Sequence, residues 1–351
     1  MFKIRNAIVV SCVLWSLFGC GGTPPAKTSG AGPDWVYNPS AVYPENTYIS
    51  AVGYGVDRES AEKNALGALA SIFGQTVKGE TLASYKYSEA VRDGVISINE
   101  GSAIDNAVKT SFEMQTLIGA EIKDRWFDGK DTHYAIAVMD RLQSSLLYSE
   151  LIESNLQVIE HLLDIPLNDR YSFDAYARYD LALIVANANS AFLNVLSVLN
   201  PAAAMGLRDE IRQEDVYRLE ALSIAQNIPL RLMVQNDRDG RIGSAFSSVL
   251  ADRGFKIGED TSRYVLDVAV TLSKVDLPQN PNTFVRYIVN ADLRDTENNI
   301  TIFPYSISGR EGHTSLSEAE NRALRMAEEN IRESYGAALD GYLTQLSSNK
   351  K

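Results

Sequence analysis

The chain has only two cysteines in 351 residues, Cys12 and Cys20, and both fall within the first twenty positions. The rest of the chain therefore has no disulfide framework and no cysteine-based metal site. Histidine is almost as scarce: His133, His161 and His313 lie far apart, and none has an Asp, Glu or His partner at metal-ligand spacing. No metal or other cofactor is expected. Positive charge is in deficit too. Lys plus Arg total 33 against 45 Asp plus Glu, a net of −12, so a phosphate backbone or an anionic lipid surface is repelled on balance. That argues against nucleic acid as a partner. The sequence also lacks a Gly-x-Ser-x-Gly elbow and a phosphate-binding loop. What remains is ordinary globular composition, 45% hydrophobic and 22% charged, in a chain long enough for two or three packing units.

The N-terminus carries the most specific signal. Lys3 and Arg5 precede an apolar stretch, residues 7–19, which has 13 residues and is too short to span a bilayer; this is the layout of an export signal that is removed. The stretch ends Leu17-Phe18-Gly19-Cys20, which resembles the bacterial lipobox, with Phe18 bulkier than the usual middle residue. Thioether formation needs the Cys20 thiol, and cleavage beside it needs a small residue, Gly19. Cutting there leaves 31 basic against 45 acidic residues, a net of −14, and makes Cys20 the sole thiol. One acyl chain anchors only marginally, so stable attachment needs two or three chains, palmitate among them, on that cysteine. Residues 20–33, rich in Gly, Pro and small polar residues, form a tether. By analogy with Gram-negative sorting, the absence of Asp after Cys20 favours the outer membrane.

Residues 34–150 read as an α/β unit. A short strand at 46–52 leads through Gly53-Tyr54-Gly55 into a helix capped by Asp57 or Ser60, with Ala61, Ala65, Leu66, Ala68, Leu69, Ile72 and Phe73 on its inner face and Gly74 as its stop. A hairpin follows, turning at Asp128-Gly129, with Ile118, Ala120, Ile122 and Trp126 alternating on one strand and Tyr134, Ile136 and Val138 on the other. Helix dominates to residue 226, broken at Ile165-Pro166. Residues 181–199 are apolar enough to suggest a membrane span, but Asn187, Asn189 and Asn194 make a buried core helix the better reading.

A second α/β unit occupies the C-terminal third. A strand at 230–234 and a helix at 244–253 precede two strictly alternating strands, Leu266-Val268-Val270-Leu272 and Val285-Tyr287-Val289-Ala291-Leu293, the core of an antiparallel sheet. A short edge strand at 300–303 is expected to stop at Pro304. A final helix opens with Ser315 and Glu318 as a capping box. Residues 61–66 and 319–324 share four of six residues, a faint internal echo.

Site motifs fail when tested. Gly53-Tyr54-Gly55 stands where a dinucleotide loop would, but Arg58 occupies the third glycine position. Gln235, Asp237 and Asp239 imitate the start of a calcium loop, whose twelfth position is Phe246 instead of Glu. Tyr37, Tyr43, Tyr48, Tyr54, Tyr85 and Tyr87 make a glycan or partner surface conceivable, with half-buried aromatic packing favoured.

Pro33-Asp34-Trp35-Val36, then Ile49-Ser50-Ala51-Val52-Gly53-Tyr54-Gly55, the helix from Ser60-Ala61-Glu62, and the hairpin from Asp124-Arg125-Trp126 to Tyr134-Ala135-Ile136-Ala137-Val138 together resemble the Lpp-twenty type of bacterial outer-membrane lipoprotein, over about residues 33–150. The resemblance implies a small α+β domain of surface-antigen lipoproteins and of lipoproteins tied to flagellar or envelope assembly, with no catalytic residues to carry over. The second half is similar in style to α/β modules of lipoproteins that build secretion pores, such as the curli exporter.

The expected architecture is α+β: a signal peptide (1–19), a lipidated tether (20–33), an Lpp-twenty-like α/β domain (34–150), a helical segment (151–227) and a second α/β domain (228–347), with antiparallel sheets. The expected role is a non-enzymatic interaction or assembly protein of the cell envelope, held to the outer membrane by acyl chains on Cys20, facing the periplasm, and binding an unknown envelope protein or itself. The alternatives are a subunit of an oligomeric secretion or flagellar-associated ring and, last, a hidden hydrolase.

Overall fold

The computed structural model describes residues 32–73, 87, 90–91, 117–258, 262–277 and 280–348. The export signal, Gly19, Cys20, Gly74 and Tyr85 lie outside the described residues. Two short helical turns, α1 (Asp34–Tyr37) and α2 (Pro39–Val42), precede strand β1 (Tyr48–Gly55) and helix α3 (Arg58–Ile72). Of the two candidate caps, Asp57 is the one used: its carboxylate accepts from Ser60 N at 2.7 Å. The inner face of α3 is narrower than expected. Ala61, Ala65, Leu66 and Leu69 are buried, whereas Ala68 and Ile72 face solvent and Phe73, just past the helix end, takes the last buried place.

The hairpin is β2 (Glu121–Phe127) and β3 (His133–Asp140), which join β1 in an antiparallel sheet of order β1-β3-β2. Ile118 and Ala120 lie just ahead of β2, and a register shift between Ile122 and Asp124 interrupts its alternation. At the turn, Asp128 Oδ1 accepts from the backbone N–H groups of Lys130, Asp131 and Thr132, and Gly129 has φ +80°. As the central strand, β3 is buried on both faces. Ala135, Ala137 and Met139 belong to the main core, while Ile136 and Val138 pack under Trp35 from α1 in a small outer cluster with Val52, Trp126 and Tyr134.

Helices α4 (Arg141–Leu163), α5 (Phe173–Leu199), α6 (Pro201–Arg208) and α7 (Glu214–Asn227) follow, with a 3₁₀ turn at Leu167–Asp169 after the break at Pro166. α5 is long and apolar enough to cross a membrane by length and composition, yet it serves as a core helix. Its Asn189, fully buried, accepts from Asn155 Nδ2 at 2.8 Å, and Asn155 in turn accepts from the Tyr87 hydroxyl at 2.8 Å. This chain of bonds satisfies polar groups that would be costly in hydrocarbon. α5 also feeds two cores. Leu181 to Leu199 contribute to the first-sheet core, and Phe173, Ala175 and Ala177 to the second.

The second sheet has the order β4-β5-β6-β7, built from β4 (Leu230–Gln235), β5 (Tyr264–Val275), β6 (Thr283–Asp295) and β7 (Ile300–His313), with α8 (Arg241–Ala251) between β4 and β5. It is antiparallel through β5, β6 and β7, and β4 joins β5 in parallel, which the intervening helix makes possible. The expected stop at Pro304 is corrected: β7 continues for 14 residues through it. Because β7 is the outermost strand, Pro304 sacrifices no inner ladder bond.

Helix α9 (Leu316–Ser348) lies across this sheet with Ala319, Ala323, Ala327, Ile331, Tyr335, Leu339 and Leu343 buried. Half of the expected capping box forms. Glu318 N donates to Ser315 Oγ at 3.3 Å, while the Glu318 carboxylate pairs with Arg325 at 3.5 Å. The echo between residues 61–66 and 319–324 marks a shared packing demand, since each places two fully buried alanines and a buried leucine against a sheet. Tyr335 sits among Phe246, Phe303 and Tyr305, and its hydroxyl has no partner among the described residues. Tyr335→Phe, which removes an unpaired buried hydroxyl without changing shape, is expected to raise stability by about 1 kcal/mol in urea titration.

Candidate functional site

The lipid-attachment residues expected from the sequence, Gly19 and Cys20, lie outside the described residues, and the structure begins where the tether meets the fold. Gly32 lies on the Trp126 ring, so closely that a Cβ at this position would stand 3.0 Å from it. Trp35, 3% exposed, then plugs the outer face of the first sheet over Ile136 and Val138. Residues 32–35 are thereby fixed to one end of the sheet.

Each rejected motif has a structural role. Gly53 and Gly55 are part of β1, where α3 crosses at very short range. A Cβ on Gly53 would stand 2.1 Å from Ala65 N and 2.6 Å from Ala61 O. The glycines therefore serve helix–strand contact. Asp237 caps α8 by accepting from Gly243 N at 2.8 Å, and Asn236, with φ 64°, donates to Val270 O at 3.2 Å. That arrangement consumes the turn that imitated a calcium loop.

The histidines stay apart. His133 stacks on Phe127 at the hairpin end, His161 lies near the end of α4, and His313 Nδ1 accepts from Ser315 N at 3.3 Å. Among the described residues no group of three His, Cys, Asp or Glu is placed to hold a metal ion. The tyrosines divide by burial. Tyr87 is buried, Tyr43 and Tyr48 pack edge to face at 5.6 Å, and Tyr37 and Tyr54 are exposed.

One concavity was not legible in the sequence. An open cleft of about 820 Å³ lies between the end of α4 and the turn before α7. Its floor is Leu156, Ile159, Leu163 and Tyr217, and its rim holds Glu160, His161, Asp164, Glu210 and Arg212, all exposed. Burial raises the Tyr217 hydroxyl above its usual value, with the Arg212 charge pulling the other way. The cleft thus pairs an apolar floor with a charged rim. Its parts come from residues about fifty positions apart, so no local motif announces it.

Comparison with known proteins places residues 33–140 in a match to the LPP20 lipoprotein family, and the resemblance read from the sequence holds over that span. No curated protein matches the chain. Among solved structures, a minor lipoprotein from Acinetobacter baumannii aligns with 17% identity over 32% of this chain and 90% of its own, with a TM-score of 0.27. A secreted protein from Helicobacter pylori aligns with 11% identity over 81% of this chain and 97% of its own, with a TM-score of 0.40. The crystal structure of a protein described as a lipoprotein from Caulobacter crescentus CB15 aligns with 14% identity over 34% of this chain and 88% of its own, with a TM-score of 0.19.

Proposed function

We propose that this chain is a lipoprotein of the bacterial cell envelope, acylated on Cys20, held to the periplasmic side of the outer membrane, and acting as a non-enzymatic interaction or assembly protein. The observation that carries the reading is an order of features: a lipobox ending at Cys20, a short polar tether, and at residue 33 the start of the match to the LPP20 lipoprotein family. The acidity of the mature chain supports a covalent anchor, because a net of −14 gives no electrostatic purchase on anionic lipid. The cleft, with its apolar floor and charged rim, supports a peptide-like partner.

Cys20→Ala expressed in a Gram-negative host tests the anchor. Metabolic labelling with palmitate is expected to be lost, and the protein is expected to move from the membrane to the soluble fraction. A Cys20→Ala chain that still labels and still sediments with membranes overturns the reading.

A second reading, self-assembly into a ring, draws on β7. This outer strand runs uncharged from residue 300 to 308, an edge interrupted by Pro304 but otherwise open to pairing with another chain. A strictly monomeric detergent extract counts against it.

A further inference from the structure

We infer that the end of the first sheet from which the tether departs is a membrane-contacting surface that seats in the headgroup region of the bilayer to which Cys20 is attached. The inference rests on the lipid-anchor reading and adds an orientation to it. Two adjacent rows at this end of the sheet supply the surface, one on each face, so that it wraps around the rim of the sheet. In one, Tyr54, Tyr134 and Trp126 stand side by side across β1, β3 and β2, with ring centroids 6.3 and 5.2 Å apart. In the next, at the strand ends, Phe127 stacks on His133 at 4.5 Å. Val56 follows the end of β1.

Three of these side chains are left in water at a cost: Val56 is 83% exposed, Tyr54 67% and Phe127 45%. Apolar and aromatic side chains gathered at one sheet end are the composition that settles at a lipid–water interface, where a ring is apolar at one side and wet at the other.

The path of the chain selects lipid over other occupants. Gly32 packs directly on Trp126, so the segment leading back to Cys20 starts from the patch itself. The eleven residues between them reach at most about 40 Å when fully extended. Acyl chains on Cys20 therefore hold this end of the sheet within a short distance of the bilayer at all times. A weak surface affinity then becomes effective, because the second contact is intramolecular. The surrounding charge specifies the kind of surface. Asp57, Glu59, Asp128 and Asp131 outnumber Arg58 and Lys130 around the patch, which suits zwitterionic headgroups and opposes anionic ones.

The test uses the full acylated protein in phosphatidylcholine vesicles whose acyl chains carry bromine near the headgroup. Cleavage of the signal removes Trp15, leaving Trp35, buried in the fold, and Trp126 as emitters. Bromine is expected to quench the Trp126 contribution about twofold, as for a ring at headgroup level, and Trp126→Phe is expected to abolish the quenching. The double substitution Val56→Asp with Phe127→Asp, both at exposed positions, is expected to relieve the quenching while the protein still floats with the vesicles. Replacing part of the lipid by anionic phosphatidylglycerol is expected to weaken it.

Flotation without quenching overturns the inference and leaves the anchor standing. Failure of the wild-type chain to float overturns both. Quenching unchanged by the double substitution also overturns the inference, as does burial of the patch by a second protein chain in place of lipid.

Discussion

Gly53→Ala is expected to destabilise the first sheet by at least about 3 kcal/mol, beyond the usual cost of an added methyl in a core, because its Cβ would meet backbone. That Cβ would stand 2.1 Å from Ala65 N, 2.6 Å from Ala61 O and 2.6 Å from Ala65 Cα. A flexible side chain could rotate aside; here the whole of α3 must lift off β1, pulling Ala61, Ala65 and Leu69 out of the core. Gly67→Ala provides the opposite result from the same helix. Gly67 is exposed in mid-helix with nothing within 4 Å of a Cβ, so alanine there is expected to stabilise by about 0.5–1 kcal/mol. Urea unfolding followed by tryptophan fluorescence reads both, since Trp35 and Trp126 both belong to the first sheet's outer cluster. Equal and small effects of the two substitutions would contradict the packing described.

Arg263→Met is expected to cost about 3 kcal/mol, the penalty for stranding a buried charge. The guanidinium bonds Asp295 at 3.1 Å, Glu297 at 3.1 Å and Asp169 at 3.3 Å, tying the 3₁₀ turn of the helical layer to the β6–β7 corner. Asp295 is nearly buried and also accepts from Glu297 N and Asn298 N, which fixes the corner itself. Burial alone pushes the Asp295 carboxyl up, but the bonds from Arg263 and Asn298 outweigh it and hold it below the ordinary aspartate value.

The sign of the pH dependence follows. The contribution of this lowered carboxyl is fully present above the unfolded value of about 3.9 and is lost as pH falls through the lower folded value. The gap between wild type and Arg263→Met is therefore expected to be widest near neutrality and to narrow on acidification below about pH 4. Denaturation midpoints measured at pH 7 and pH 3 check this; a gap that widens in acid would contradict it. Asp295→Asn in the Arg263→Met background removes the stranded charge and is expected to restore part of the loss.

Much of the fold was legible because its rules are local. Strict alternation marked β5 and β6, Asp57 stood ready as a cap, and the asparagines of α5 separated a core helix from a membrane span. The misreadings share a cause: each depends on where an element sits among the others. The strand at 300–303 is an edge strand as expected, but Pro304 does not end it, because the pairing with β6 alone carries β7 on to His313. Alternation in Tyr134, Ile136 and Val138 suggested one buried face; Trp35, a hundred residues earlier, covers that face, and Ala135, Ala137 and Met139 bury the other in the main core. The parallel pairing of β4 and the sharing of α5 between two cores are likewise tertiary facts.

The candidate site divides in the same way. The proposed lipidation chemistry, recognised in an extended chain, is read locally, from Leu17-Phe18-Gly19-Cys20. The cleft and the aromatic sheet end exist only after β1, β2, β3 and the helices are assembled.

The proposed lipid anchor is tested most directly by the intact mass of the mature N-terminal peptide from protein recovered in the membrane fraction. The account predicts a peptide that begins at Cys20 and carries the mass of a diacylglyceryl thioether. A membrane-recovered peptide that retains residues 1–19, or one with an unmodified Cys20 thiol, would contradict it.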